Sequence, residues 1–423
     1  MSPCLSPIAC IKKQVSKTLE KYLATYGSPQ AKFTDFDRSW SNVIVIPAYQ
    51  EEASEIIQNL ALIACREKFL VIVVANSYEA DDKQTQAMAD DLAKGVPKTP
   101  ISDETYLLTY EKYDILIVDC FSESRLLKEK EGVGAARKIG CDIALRLIAS
   151  KKIKSQWIYS SDADAALPEN YFQSKVEQDN VATIFSFSHT YASEISKAVL
   201  LYEVKLLYYT AGLVSANSPY AYLPLGSCLC FSAEAYAKTR GFRKINAGED
   251  FYLLNKLRKI GKVLSDKEIK ISLRGRLSER TPIGTGQGTR KILNDLMKGE
   301  VVLFENPECF HQLKLVIDMI EQLALDQRKE LIFPNEKIQT YLQGIQFSEH
   351  YHAKREQNPS YLVMKKHLHD WFDALKTRQF IKHLQDTHYY GVPVERLGDA
   401  FFLRCENESK AIIKECSKQI FGS

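Results

Sequence analysis

The sequence predicts an α/β fold, with a mixed, mostly parallel sheet flanked by helices and a helical C-terminal region. Three observations predict it. First, short continuous apolar runs recur early in the chain, among them Val43-Ile44-Val45-Ile46, Phe69-Leu70-Val71-Ile72-Val73-Val74 and Trp157-Ile158-Tyr159-Ser160. Runs of this length, bounded by polar residues, suit strands buried on both faces. Second, helical stretches alternate with these runs, as crossovers between parallel strands require. Third, strand-like runs stop beyond about Arg290, where helical spacing such as Leu313, Val316, Ile317, Ile320 and Leu323 takes over.

The elements follow in order. Ile11, Val15, Leu19, Tyr22 and Leu23 recur at helical spacing and predict an amphipathic helix over 11–26. The first strand stops at Pro47, and a helix is expected from Glu51 to Cys65. The second strand ends in Asn76 and Ser77, and the polar stretch Glu79 to Thr105 reads as part helix, part loop. Asp114-Ile115-Leu116-Ile117-Val118-Asp119 is the third strand, and Gly132-Val133-Gly134 leads into a helix, Ala135 to Ala149. A fourth strand from Trp157 runs into Asp162-Ala163-Asp164, and Val181 to Phe187 reads as a further strand. Three segments result: an N-terminal helical extension (1–40), a sheet domain (41–289) and the helical region (290–423).

Composition narrows the function. The 423 residues carry 56 basic and 53 acidic side chains, a net charge of +3, which argues against a dedicated nucleic-acid binder. The ten cysteines show no Cys-x-x-Cys spacing and several sit in apolar runs, so buried free thiols in a reducing compartment are expected. Met1 to Cys10 lacks the basic head and apolar stretch of a signal peptide. Glu203, Lys205, Asn217 and Pro219 interrupt the most apolar segment, Ala198 to Phe231, which argues against a bilayer span. A cytoplasmic protein is expected, with peripheral membrane contact left open.

Asp162 and Asp164 stand at the carboxyl end of a buried strand, where open α/β sheets place ligands. Unpaired charge is too costly to bury, and hard oxygen donors there suit Mg²⁺ or Mn²⁺ bridging phosphates. In order along the chain, Pro47-Ala48-Tyr49-Gln50-Glu51, Gly132-Val133-Gly134-Ala135-Ala136-Arg137, Asp162-Ala163-Asp164, Pro224-Leu225-Gly226-Ser227 and Gly248-Glu249-Asp250 resemble the signatures of family-2 glycosyltransferases of the GT-A fold. The resemblance runs from residue 43 to about 286. It implies a nucleotide-sugar donor, UDP- or GDP-linked, and a carbohydrate, lipid-linked or small-molecule acceptor. It also implies a base pocket bordered by Pro47, Tyr49, Glu51 and Asn76, with Asn76 where an aspartate is usual. Gln50 and Lys138 depart from the family's asparagines. Arg137 is expected to face the base or a phosphate, and Gly226 the donor sugar.

The resemblance further implies that Asp164 holds the cation, with Asp162 on the metal, the ribose or the second shell. Asp250 becomes the base that deprotonates the acceptor, beside Glu249, in a reaction that most family members run with inversion. Arg274 to Gly286 carries three arginines and three glycines, a composition suited to closing over a diphosphate, with Arg276 and Arg280 on the leaving group. Gly132-x-Gly134 also opens a helix as a dinucleotide loop would, but Arg137 stands where that motif needs a small residue. His350, His352, His367 and His369 fall in a helical region, where paired spacing of two splits them between faces, so surface or partner-facing roles are expected. The C-terminal helices are expected to select the acceptor or form a homo-oligomer. Two other classes compete: a nucleotidyltransferase, and a non-catalytic nucleotide-sugar-binding module.

Overall fold

The computed structural model describes residues 17–32, 36–174, 179–277, 284–328 and 330–400. The chain forms two compact units. The first takes the chain up to Thr190 with Pro224–Gly275, and the second takes Tyr191–Leu223 and the chain from Thr285 on. The helix at 196–215 thus belongs with the C-terminal helices rather than the sheet.

In the first unit, β1 (Val43–Ala48), β2 (Phe69–Asn76), β5 (Tyr113–Cys120) and β6 (Trp157–Ser160) form a parallel centre in the order β5-β2-β1-β6. Every residue of β1 and β2 is buried, as their unbroken apolar runs require. The register sets Ala48 beside Ala75 and Val45 beside Ser160, so these strands end along one edge of the sheet. Pairing with β6 stops at Val45, two residues before Pro47, which leaves room there for a residue without an N–H.

Antiparallel strands flank that centre. The polar stretch after Glu79 forms α3 (Lys83–Ala93) and then a hairpin, β3 (Lys98–Ser102) and β4 (Thr105–Thr109), that extends the sheet past β5. The exposed outer strand Lys-Thr-Pro-Ile-Ser carries lysine and proline, which protect an edge from further pairing and hide the strand from a search for apolar runs. Beyond β6 lie β9 (Leu229–Ser232), β8 (Asn180–Tyr191), β10 (Lys262–Gly275) and β7 (Ala165–Ala166), giving this sheet ten strands among the described residues.

Helix α4 (Gly132–Ala149) packs on β1 and β2, with α2 (Ala53–Leu60) preceding β2. A Cβ on Gly140 would lie 2.4 Å from Val45 Cγ1, so glycine is required where helix meets sheet. The N-terminal helix α1 covers 17–25 of the expected 11–26, and 11–16 lie outside the described residues. Its anchor is Asp142, a fully buried carboxylate on α4. Asp142 accepts from Tyr22 Oη at 2.7 Å, Ser28 N at 2.8 Å, Ser28 Oγ at 2.8 Å, Lys138 Nζ at 2.8 Å and Tyr236 Oη at 3.1 Å. Burial of such a carboxylate is tolerated because each lone pair finds a donor.

The second unit holds α5 (Ser196–Ser215), α8 (Thr285–Met297), α9 (Pro307–Leu325), α10 (Glu336–Gly344), α11 (Phe347–Arg355), α12 (Tyr361–Trp371) and α13 (Ala374–Thr387). One helix there, covering Ser193–Ser215, is long and apolar enough by length and composition to cross a membrane. Its Ala198, Leu201, Val204 and Tyr208 join Phe304, Phe310 and Leu313 in the unit's apolar core. His369 is a correction to the surface reading of the histidines. It is buried, with Nε2 2.8 Å from Glu321 Oε1, while His350 stacks on Trp371 at 5.0 Å.

Candidate functional site

The common end of the parallel strands is where the first unit places its chemistry, as open sheets do. Arg137, on the second turn of α4, is the hub. Its side chain is 3% exposed, and every nitrogen is engaged. Nε donates to Glu249 Oε1 at 2.9 Å, Nη2 to Asp162 Oδ1 at 2.5 Å, and Nη1 to Ser160 Oγ at 2.8 Å and the Ser161 carbonyl at 3.1 Å. Burial opposes the guanidinium charge, but Asp162, Glu249 and Asp250 together hold it more firmly protonated than an ordinary arginine. Arg137 therefore ties acidic groups together, in place of the expected direct face toward a base or phosphate.

Each partner is set by its element. Ser161 N donates to the Val45 carbonyl and extends β6 by one residue, so Asp162 begins the turn that follows. The turn is braced by Asn59 of α2, whose Nδ2 donates to the Ala163 carbonyl at 2.8 Å while its own carbonyl accepts from Leu167 N at 3.1 Å. Asp162 and Asp164 are both half-buried there, and the intervening Ala163 is buried, as alternation demands. Ser160 Oγ passes on a hydrogen bond to the Gly226 carbonyl at 2.9 Å. A Cβ on Gly226 would lie 2.5 Å from Arg137 Nη2, so glycine is needed for the guanidinium to reach Asp162.

Glycines 132 and 134 have a similar explanation. Gly134 N donates to the Ile245 carbonyl at 3.0 Å, and a Cβ on Gly134 would lie 2.3 Å from the Arg243 carbonyl. They admit the loop before α7 (Glu249–Arg258), which removes the dinucleotide-loop reading. That loop ends in Gly248 at φ 74°, a left-handed residue that turns the chain into α7. Glu249 is buried against Arg137, and Asp250 follows on the first turn, half-buried. Burial and the adjacent Glu249 carboxylate push the Asp250 pKa up to about 7, and Arg137 only partly offsets them.

A second group borders β1 and β2. Tyr49 lies 5.2 Å from Tyr78 between ring centroids, with its hydroxyl 3.5 Å from Glu79 Oε1. Gln50 holds a left-handed φ of 54°, and its N–H donates to Thr85 Oγ1 at 3.0 Å. Pro47 is buried near the end of β1, and Glu51 is half-buried just after it. Asn76 ends β2 with Oδ1 buried and without a hydrogen-bond partner among the described residues, an unmet acceptor of the kind that binding sites hold. Asp119, ending β5, accepts locally from Phe121 N, Ser122 N, Ser122 Oγ and Arg125 Nη1, and these bonds outweigh burial and hold its carboxyl below the usual range. Arg276 is grouped with the second unit, and Arg280 lies outside the described residues, so neither is counted in the cluster.

Sequence reading missed Asn59, Ser160, Ser161 and Tyr78. Nothing marks them as a motif: they are common polar residues at element ends, and only the fold gives them a task.

A divalent cation fits the donor set by chemistry. Among the described residues no group of three His, Cys, Asp or Glu is placed to hold an ion. Mg²⁺-class ions need no such cage, since one or two carboxylates complete their shell with waters and substrate phosphates. Asp164 and Asp162 supply two carboxylates at one turn, and Asp162 commits one oxygen to Arg137.

No family model matches the chain, and no curated protein does. It is similar to a solved mannosyltransferase from Pyrobaculum calidifontis, in complex with GDP-Man and Mn²⁺, at 12% identity and a TM-score of 0.36, covering 97% of this chain and 95% of that one. It is also similar to GalNAc-T7 with UDP, GalNAc and Mn²⁺, at 12% identity and a TM-score of 0.33, covering 65% of this chain and 53% of that one. A mycobacterial protein follows at 11% identity and a TM-score of 0.30, with 70% and 80% covered.

Proposed function

We propose that this chain is a glycosyltransferase, moving a sugar from a nucleoside-diphosphate donor to an acceptor hydroxyl with a divalent cation on Asp164 and Asp162. One observation carries the reading: Arg137 binds Asp162 and Glu249 at once, so the Asp-x-Asp turn and the Glu-Asp helix start form one site. Sequence signatures 87 residues apart thereby become neighbours (249 minus 162).

When bound, the cation supplies neutralising charge to the diphosphate as it leaves. The chain's own residues do the rest. Asp250, poised near neutral pH, accepts the acceptor's hydroxyl proton as its oxygen bonds to the anomeric carbon and the bond to the diphosphate breaks. In-line attack of this kind inverts the anomeric centre. Glu249, held on Arg137, keeps the Asp250 proton affinity high. The unmet Asn76 acceptor and Tyr49 suit a base that presents an N–H and a π face. Arg276 and Arg280 are assigned to the leaving diphosphate on sequence grounds.

The test is a panel of UDP- and GDP-sugars, with and without Mn²⁺ or Mg²⁺, reading nucleoside diphosphate and pyrophosphate release. Metal-dependent release of UDP or GDP that Asp164→Asn abolishes is expected. Pyrophosphate release would move the chain to the nucleotidyltransferases, and binding without turnover would leave a binding module.

A further inference from the structure

A second cluster lies on the first unit, where the C-terminal end of α1 meets the residues between α6 (Ala233–Lys238) and α7. Arg240 Cζ lies 5.2 Å over the Tyr26 ring, and Arg243 Cζ lies 4.5 Å over the Tyr252 ring. Lys256 Nζ donates to the Thr239 carbonyl at 3.1 Å, beside Arg240. Tyr252 and Lys256 are four residues apart on α7 and share a face. The Lys256 ammonium therefore lies within electrostatic reach of both guanidinium groups.

Their chemistry is unbalanced. Contact with a tyrosine ring steadies each guanidinium, and neither arginine has a carboxylate partner among the described residues. Glu131 lies 3.9 Å from Lys244, the residue after Arg243. Lys138, close by, is already balanced by Asp142. Burial and then Arg243, Arg240 and Lys138 push the Lys256 pKa down, and no carboxylate acts in the other direction. The backbone holds this arrangement under strain, since Arg240 sits at φ 64°, a left-handed conformation rare for a side chain of its size. Gly241 follows at φ 67°, where a Cβ would lie 2.5 Å from Tyr22 Oη.

We propose that Arg240, Arg243 and Lys256 form a binding site for a phosphate-class anion, separate from the Arg137 cluster and independent of the proposed transferase activity. Two pre-oriented guanidinium edges and an ammonium match a tetrahedral oxyanion with several acceptor oxygens. A free phosphate and a phosphate-bearing lipid headgroup present the same chemistry.

The test titrates inorganic phosphate into the full chain by calorimetry, with chloride holding ionic strength constant. A second arm measures co-sedimentation with phosphatidylcholine vesicles, with and without phosphatidic acid. Arg240→Gln and Arg243→Gln are the probes, and Lys238→Gln, a nearby lysine paired with Glu234, is the control. Saturable binding that each arginine variant weakens about tenfold is expected, with the control and the catalytic turnover unchanged. Binding in the phosphate arm alone assigns a soluble phosphate, and binding in the vesicle arm alone assigns a headgroup. Absence of binding in both arms, or binding indifferent to both arginine variants, overturns the site.

Discussion

The two units treat charge in opposite ways. Among the described residues the first buries Asp82, Asp114, Arg137, Lys138, Asp142 and Glu249, whereas the second buries no Asp, Glu, Lys or Arg. The second instead packs Phe304, Phe310, Phe347, Phe372 and Phe380 at zero exposure into an apolar core. Buried charge costs several kcal/mol per ion before pairing, so each of these groups depends on partners held in place around it. The helical unit is built to hold together, and the sheet unit to hold charges in place.

Substitutions can break this contrast. The largest effect is expected from Arg137→Ala, which strands Glu249 in the interior. A loss of about 3–5 kcal/mol in unfolding free energy should come with loss of donor turnover. Phe380→Ala in the second unit should cost a similar ~3–5 kcal/mol while leaving the donor Kd unchanged. Denaturant titration paired with donor binding reads both, and a donor defect in Phe380→Ala would erase the contrast.

Asp250→Asn should cut transfer roughly 10²–10⁴-fold. Its stability effect has the reverse sign. A carboxyl whose pKa is raised to about 7 on folding favours the folded state at low pH and loses that contribution as pH rises toward 7. The asparagine variant should therefore gain Tm relative to the parent above pH 7 and match it least well there. Turnover of the parent should rise with pH through about 7, and a flat profile from pH 5 to 8 would remove Asp250 as the base.

Gly226→Ala pushes a methyl into Arg137 Nη2. A displacement of that size should cost about 10- to 100-fold in turnover, with a smaller stability loss of ~1–3 kcal/mol. At the bottom of the scale, Lys382→Ala removes an exposed pair with Asp386 and should change stability by less than about 0.5 kcal/mol.

Much of this was legible in the chain itself. Unbroken apolar runs gave the parallel strands because burial on both faces leaves that mark. The outer strand Lys98–Ser102 left none, since an edge strand must be polar to stay unpaired. Asp162, Glu249 and Asp250 could be singled out by their places at a strand end and a helix start. Their union through Arg137 could not, because a hydrogen bond between residues 112 positions apart has no local signature. The pair Lys138 and Asp142 did have the i, i+4 spacing that puts both on one face of α4, but nothing local marks that face as buried.

The Asp142 anchor also bears on how the first unit comes to be folded. Its carboxylate joins Tyr22, 120 residues upstream, to Tyr236, 94 residues downstream. Closing loops of that length is slow, because chain entropy is lost before any contact rewards it. During synthesis the helix at 17–25 must wait for residue 236 to emerge before its anchor is complete. Until then Asp142 keeps its bonds to Tyr22, Ser28 and Lys138 and lacks only the one from Tyr236. The anchor is therefore expected to close last at Tyr236, and Tyr236→Phe should cost about 1–2 kcal/mol, the worth of one hydrogen bond to a charged group.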